Sequence, residues 1–302
     1  PCFQSANLTR LPTLVQHDAT NGQMSTHGTH IASVIFGQPN TEVEGIAPQC
    51  QGLLMPVFAD DNRKLSQLDL ARAIEQAAEQ GAQVINISGA LTDLGEAEDW
   101  LVRAVEMCAD KKILLVAAAG NDGCDCLNVP AALPSVLAVG AINARGQPLD
   151  FSNWGETYQH QGILAPGENI LGAKPGGGTV QLSGTSFAAP IVAGVAALLL
   201  SLQVQRGEDP NPQAVRQALL DSALPCNLSE TNSDRQCLAG VLNIAGAINQ
   251  LTGETMSEFV EDQAFVEASG CGCGGTPENA QVPFQTQNEN EAIAAQTPNV
   301  PQ

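Results

Sequence analysis

Three short stretches carry side chains suited to nucleophilic chemistry. The first, 184-GTSFAAPIVAGVAALLL-200, sets Ser186 at the mouth of a long apolar helix. A residue there has an unpaired backbone N–H at the positive end of the helix dipole, where negative charge is stabilised. The second, 25-STHGTHIASVIFG-37, opens another helical pattern with His27 and His30. The third, 117-AAAGNDG-123, ends an apolar run and offers the Asn121 amide as a donor. A nucleophilic serine needs a base, an orienter for that base, and donors for the developing oxyanion. Ser186 is the candidate nucleophile, His27 the available base and Asn121 the second oxyanion donor. The two histidines lie three apart with no Glu between them, so the helical zinc motif is absent and no metal site is assigned.

The elements that must position these residues are legible as alternating patterns. The runs 53–58, 84–88, 113–117 and 136–140 are apolar on both faces, as strands of a buried parallel sheet are. Between the first two, Leu65, Leu68, Ala71, Ile74 and Ala78 repeat at helical spacing. Ser66 and Asp69 form a capping-box pattern there, and Gly81 is a stop. Between the next two, Trp100, Leu101, Ala104, Val105 and Cys108 form a second helical face over 96–112. Asn211-Pro212 reads as an N-cap followed by Pro at the first helical position, and Asn243 to Leu251 as a short final helix. The pattern predicts an α/β fold of three layers, a mostly parallel sheet with helices on both faces. Ligands of such sheets bind outside the carboxyl ends of the strands. Two strand exits are small there: Ser88, Gly89 and Ala90, and Ala118, Ala119 and Gly120.

Composition narrows the partners. The formal net charge of −20 over 302 residues offers phosphates no positive field, which argues against nucleic acid. No run of 18 apolar residues exists, and Ile191 to Leu202 is too short to span a membrane, so no membrane partner is expected. One domain is expected over 1–252. The Gln-, Asn-, Pro- and Gly-rich stretch 253–302 reads as a disordered linker that could lead to a further C-terminal domain. The start at Pro1-Cys2-Phe3 reads as a fragment or processed form. Of nine cysteines, Cys226 and Cys237 flank a polar loop and could close a disulfide in an oxidising compartment. The C-x-C pairs Cys124/Cys126 and Cys271/Cys273 are not expected to bridge internally. Free thiols in a cytosolic enzyme are the competing reading, and cytoplasmic location is taken with secretion left open.

The ordered stretches resemble a known family. 26-THGTHIASVIFG-37, 117-AAAGNDG-123 and 182-LSGTSFAAPIVAG-194 resemble the histidine, oxyanion-asparagine and serine motifs of subtilisin-like serine proteases. Weaker agreements lie between them in the same order: 45-GIAP-48, 84-VINIS-88, 130-PAALPSVLAVGA-141, 151-FSNWG-155 and 165-APG-167. The resemblance implies His27 as general base, Ser186 as nucleophile, Asn121 as oxyanion donor and a structural His30. It also implies that Ser88 to Ala90 and Ala118 to Gly120 pair with an extended peptide as an added strand. No cofactor is implied. Calcium at 59-ADDN-62 is an alternative to a solvated turn.

The pattern departs in two places. The family's aspartate should precede the histidine motif at a strand end, and the one acid upstream of His27 is Asp18, in a turn-like stretch. The aspartate and its strand are therefore expected upstream of Pro1, and the chain as given is expected to be an impaired catalyst. In subtilisin itself, losing this aspartate alone costs ~3 × 10⁴ in kcat. The loop after Asn121 is short and carries Cys124 and Cys126, which either edge the pocket for the residue before the cut or are incidental. The N-terminal segment, the histidine motif and this loop look like the proteases of cyanobactin biosynthesis, which cut a ribosomal precursor peptide. The short stretch from Pro1 to His27 lacks the helical insertion of their macrocyclase sister. Peptide hydrolysis is thus expected, with a peptide-binding pseudoprotease and a macrocyclase as alternatives.

Overall fold

Residues 2–12, 22–60, 65–91, 97–228 and 234–255 are described in a computed structural model of the chain. The chain divides into two units, 1–259 and 260–302, and every described residue falls in the first. Asp18, Asp61, Asn62, Cys271 and Cys273 lie outside the described residues.

The central sheet is parallel and runs β3 (Val84–Ile87), β4 (Leu114–Ala118), β5 (Leu137–Ile142), β6 (Gly162–Pro166) in spatial order. The register pairs Ile87 with Ala117, Ala118 with Val139, and Ala141 with Ala165. Successive side chains of a strand face opposite sides, so each strand here feeds two cores. Leu114, Val116 and Ala118 point to one core, Leu115 and Ala117 to the other. Leu137, Val139 and Ala141 share the first core, and Ala138 and Ile142 the second. Both faces being covered is why these strands are apolar throughout rather than alternating.

The first core is closed by α5 (Thr185–Gln205), α6 (Pro212–Asp221) and α7 (Ile244–Thr252). The second is closed by α2 (Gln67–Glu79) and α3 (Asp99–Asp110), with Tyr158 of α4 (Glu156–Gln161) fully buried in it. These are the three layers that the sequence pattern predicts. Local signals set the helix starts. Ser66 accepts from the Asp69 N–H and donates to its carboxylate, and Asn211 and Asn243 cap α6 and α7 through their side-chain oxygens.

Helix α5 departs from the sequence expectation. It runs for 21 residues, long and apolar enough to cross a membrane by length and composition. Small residues among the apolar ones (Ser186, Gly194) break the unbroken-run test without making the helix polar. Its most apolar stretch is 72% buried in the fold, and a helix covered on most sides is apolar all round.

Two smaller sheets flank this body. β1 (Leu8–Arg10) pairs in parallel with β2 (Gly52–Leu54), and β7 (Ile170–Ala173) pairs antiparallel with β8 (Thr179–Leu182). The run 53–58 forms a strand only at its start, because Pro56 and the turn after it end the ladder. β2 and β3 belong to different sheets. Between them lies a cleft of about 900 Å³, lined by Leu53, Met55 and Val57 on one side and Ile85 and Ile87 on the other.

Candidate active site

Ser186 is the second residue of α5, half-buried, directly after the N-cap Gly184 and Thr185. Thr185 is fully buried and ties three pieces together. Its N–H and its hydroxyl both donate to Asn121 Oδ1, at 2.9 and 3.0 Å. The same hydroxyl oxygen accepts from the Gly120 N–H at 3.3 Å. With its oxygen so engaged, Asn121 has its Nδ2 donors left for the space beside Gly184 and Ser186. A cavity of about 220 Å³ opens there, between Ala90, Ala118, Gly120 and Asn121 on the sheet side and Thr185 and Ser186 on the helix.

The cavity exists because two strands part. β3 and β4 pair through Ile87 and Ala117, after which Leu91 turns away to bridge Val129. Ala119 continues on its other side, donating to the Val139 carbonyl. The exits Ser88 to Ala90 and Ala118 to Gly120 therefore bound a wedge at the carboxyl end of the sheet. Ser88 itself is buried, accepts from Asn86 Nδ2, and lines the cleft beside β2 rather than the cavity beside Ser186.

The β4 exit is held from below. The Tyr158 hydroxyl donates to the Ala119 carbonyl at 3.2 Å and accepts from the Asn128 N–H at 3.0 Å. Burial pushes this phenol up to about 12, so it stays protonated. Asp122 accepts from Asn128 Nδ2 and Asn153 Nδ2, and its own N–H donates to Asn153 Oδ1. Side chains crowd Gly120: a Cβ there would lie 2.2 Å from Asn128 Nδ2 and 2.4 Å from Asn153 Nδ2, at a φ of +111°. Only glycine fits that position.

His27 lies in the first turns of α1 (Gln23–Phe36). Its ring meets Phe187 edge-on, with centroids 5.3 Å apart, which sets it beside the residue that follows Ser186. Burial and then the neighbouring His30 lower its pKa to about 4, so the imidazole is neutral near pH 7 and able to take a proton. His30 is fully buried, also meets Phe187 edge-on, and shares a hydrogen bond between Nε2 and the Ile170 carbonyl. It joins α1 to β7.

The cysteine expectation is corrected in part. Cys124 and Cys126 are bonded to each other, as are Cys226 and Cys237. The Cα atoms of Cys124 and Cys126 come to 5.1 Å, within the range a disulfide spans. Asp125 between them pairs with Arg235, whose guanidinium lies over Trp154. Cys124 and Cys126 are not among the residues lining the cavity beside Ser186.

Sequence reasoning missed Thr185, Tyr158, Asn128 and Asn153. Asn153 belongs to 151-FSNWG-155, which stood out only as a weak agreement. Nothing in a sequence pattern pairs Tyr158 with a strand exit 39 residues away.

A serine at the mouth of a buried helix, an amide fixed beside it and a neutral imidazole packed on the residue that follows the serine are the parts of a serine hydrolase. Known proteins narrow this. A family model described as "Subtilase family" matches residues 11–266, and the chain belongs to that family. Among solved structures, the patellamide maturation protease PatA is 66% identical with a TM-score of 0.78, over 84% of this chain and 93% of that one. The PatG macrocyclase in complex with peptide is 37% identical with a TM-score of 0.74, over 84% and 87%. A thermophilic serine proteinase of Bacillus sp. (strain AK1) is 35% identical over 211 residues, 69% of this chain and 49% of the relative. The chain thus spans about half the length of that curated relative.

Proposed function

We propose that the chain is a serine endopeptidase that cuts a ribosomal precursor peptide of the cyanobactin type. One observation carries the chemistry: Thr185 turns Asn121 so that its NH₂ and the Ser186 N–H can serve one oxyanion beside the Ser186 hydroxyl. The Ser186 oxygen attacks the scissile carbonyl while His27 takes its proton. The C–N bond breaks, His27 returns the proton to the leaving amine, and water then releases the acyl group by the same steps. Each oxyanion donor contributes ~3–4 kcal/mol to the transition state, a magnitude known from subtilisin. The extended peptide lies in the wedge between Ser88 to Ala90 and Ala118 to Gly120. This chemistry uses side chains and backbone alone.

His27 still needs a carboxylate to orient it. The apolar cleft between β2 and β3 is where a strand carrying that carboxylate would sit. His27 lines that cleft, and the flanking strands belong to separate sheets, which supports the reading. Hydrolysis rather than macrocyclisation is favoured by the identity of 66% to the PatA protease against 37% to the PatG macrocyclase. The test is digestion of a precursor peptide by the full-length protein, read by mass spectrometry. Linear products that vanish in Ser186→Ala are expected. Turnover surviving that substitution, or cyclic product, would overturn the proposal.

A further inference from the structure

Helix α1 has no local N-cap. Gly22 stands at the cap position without a side chain, and no acid lies in the first turn. Yet the first N–H groups of a helix need partners, and an anion there is favoured by the dipole. Asp60 supplies both from 36 residues away. Its Oδ1 accepts from the Met24 N–H at 2.7 Å and the Ser25 N–H at 3.2 Å, and its Oδ2 accepts from the Ser25 hydroxyl at 2.6 Å. The glycine at 22 makes room for it: a Cβ there would lie 2.0 Å from the Asp60 carboxyl carbon.

The segment that carries Asp60 is anchored on the substrate side. Ala59 is buried. Two residues before Asp60, the tip of the Phe58 ring fills the space that a Cβ on Gly89 would take, 2.1 Å from its position. Gly89 belongs to the β3 exit that bounds the peptide wedge. One three-residue segment thus touches the peptide edge with its first side chain and the histidine helix with its last. His27 sits within one turn of the N–H groups that Asp60 holds.

We propose that Asp60 is a positioning residue for His27, acting through the start of helix α1 and not by touching the imidazole. This rests on His27 being the base of the proposed hydrolysis. The carboxylate pins the helix start to the β2 exit, and Phe58 pins that exit to Gly89. The distance from the imidazole to a peptide in the wedge is then set by Asp60.

The test uses the full-length protein and a peptide substrate, with kcat, KM and melting temperature measured for each variant. Asp60→Ala is expected to lower kcat by roughly ten- to a hundredfold, because a misplaced base loses near-attack geometry, with KM changed by no more than about twofold. Asp60→Asn keeps an oxygen for the two N–H groups and is expected to restore most of kcat. Gly22→Ala, which drives the carboxylate away, should reproduce the Asp60→Ala defect. In Asp60→Ala the Met24 and Ser25 amides should exchange faster with solvent, whatever the activity. Unchanged kcat in Asp60→Ala, or no recovery in Asp60→Asn, would overturn the inference. His27→Ala and Ser186→Ala run alongside: if they keep turnover, the hydrolase reading has failed, and if they lose it while Asp60→Ala does not, only the positioning role has.

Discussion

His27 is kept uncharged by its surroundings. Burial lowers the pKa of both His27 and His30, His27 to about 4, so the folded protein resists protons that the unfolded chain accepts. Between the ordinary value of 6.5 and about 4 the unfolded state therefore binds more protons, and stability rises with pH across that window. Acidification from pH 6.5 toward 4 should lower the denaturant midpoint. His27→Gln should flatten part of that slope and leave the share that belongs to His30, as measured by urea melts at half-unit pH steps. A carboxylate seated beside His27 would act in the opposite sense, favouring the charged imidazole and moving the acid limb of kcat/KM upward. Ser186 and His27 were legible in the sequence as candidates because each carries a local signature, a helix start or a histidine-rich turn. Thr185 and Asp60 were not. Thr185 reads as a loop-ending residue until Asn121 is placed against it, and Asp60 reads as part of a solvated acidic turn until the start of α1 is brought to it.

At the scale of elements, α1 is tied at its start and at its middle. Its start is held by Asp60, and its middle packs on β7. Ser33 accepts from the Ala173 N–H and donates to the His30 carbonyl, joining helix to strand edge. The approach is close enough that Gly172 meets the His30 ring, with a Cβ at 172 only 2.4 Å from it. Gly172→Ala should therefore force helix and strand apart and cost about 1–3 kcal/mol, read from the chemical denaturation midpoint. The strands β3, β4 and β5 were readable because two cores demand apolar residues on both faces. The short strands β1, β7 and β8 were not, since three or four mixed residues carry no period. Their pairing comes from tertiary contact.

Across the whole molecule, covalent links hold one side of the sheet body. The Cys226–Cys237 bond closes the segment around the 3₁₀ turn Asp234–Cys237, from which Arg235 reaches Asp125 and Trp154. The Cys124–Cys126 bond tightens the segment that Arg235 reaches. By loop-closure entropy the longer link is worth about 3 kcal/mol and the shorter about 1.5. Replacing Cys226 and Cys237 by Ser should thus cost more in thermal stability than replacing Cys124 and Cys126. The internal C-x-C bond escaped the sequence because spacing says nothing of the backbone path that brings the two Cα atoms to 5.1 Å.

Helix α5 has a consequence for biosynthesis. Outside the fold its 21 mostly apolar residues are a segment that a bilayer, or another nascent chain, would accept. Chain order disarms it. Every strand of the central sheet precedes Thr185, so the surface that covers the helix leaves the ribosome before the helix does. A circular permutant opened in the turn between β7 and β8 would reverse that order. Its greasiest segment would emerge early, before its partners existed, and the failure would show as aggregation during synthesis even with every native contact still encoded.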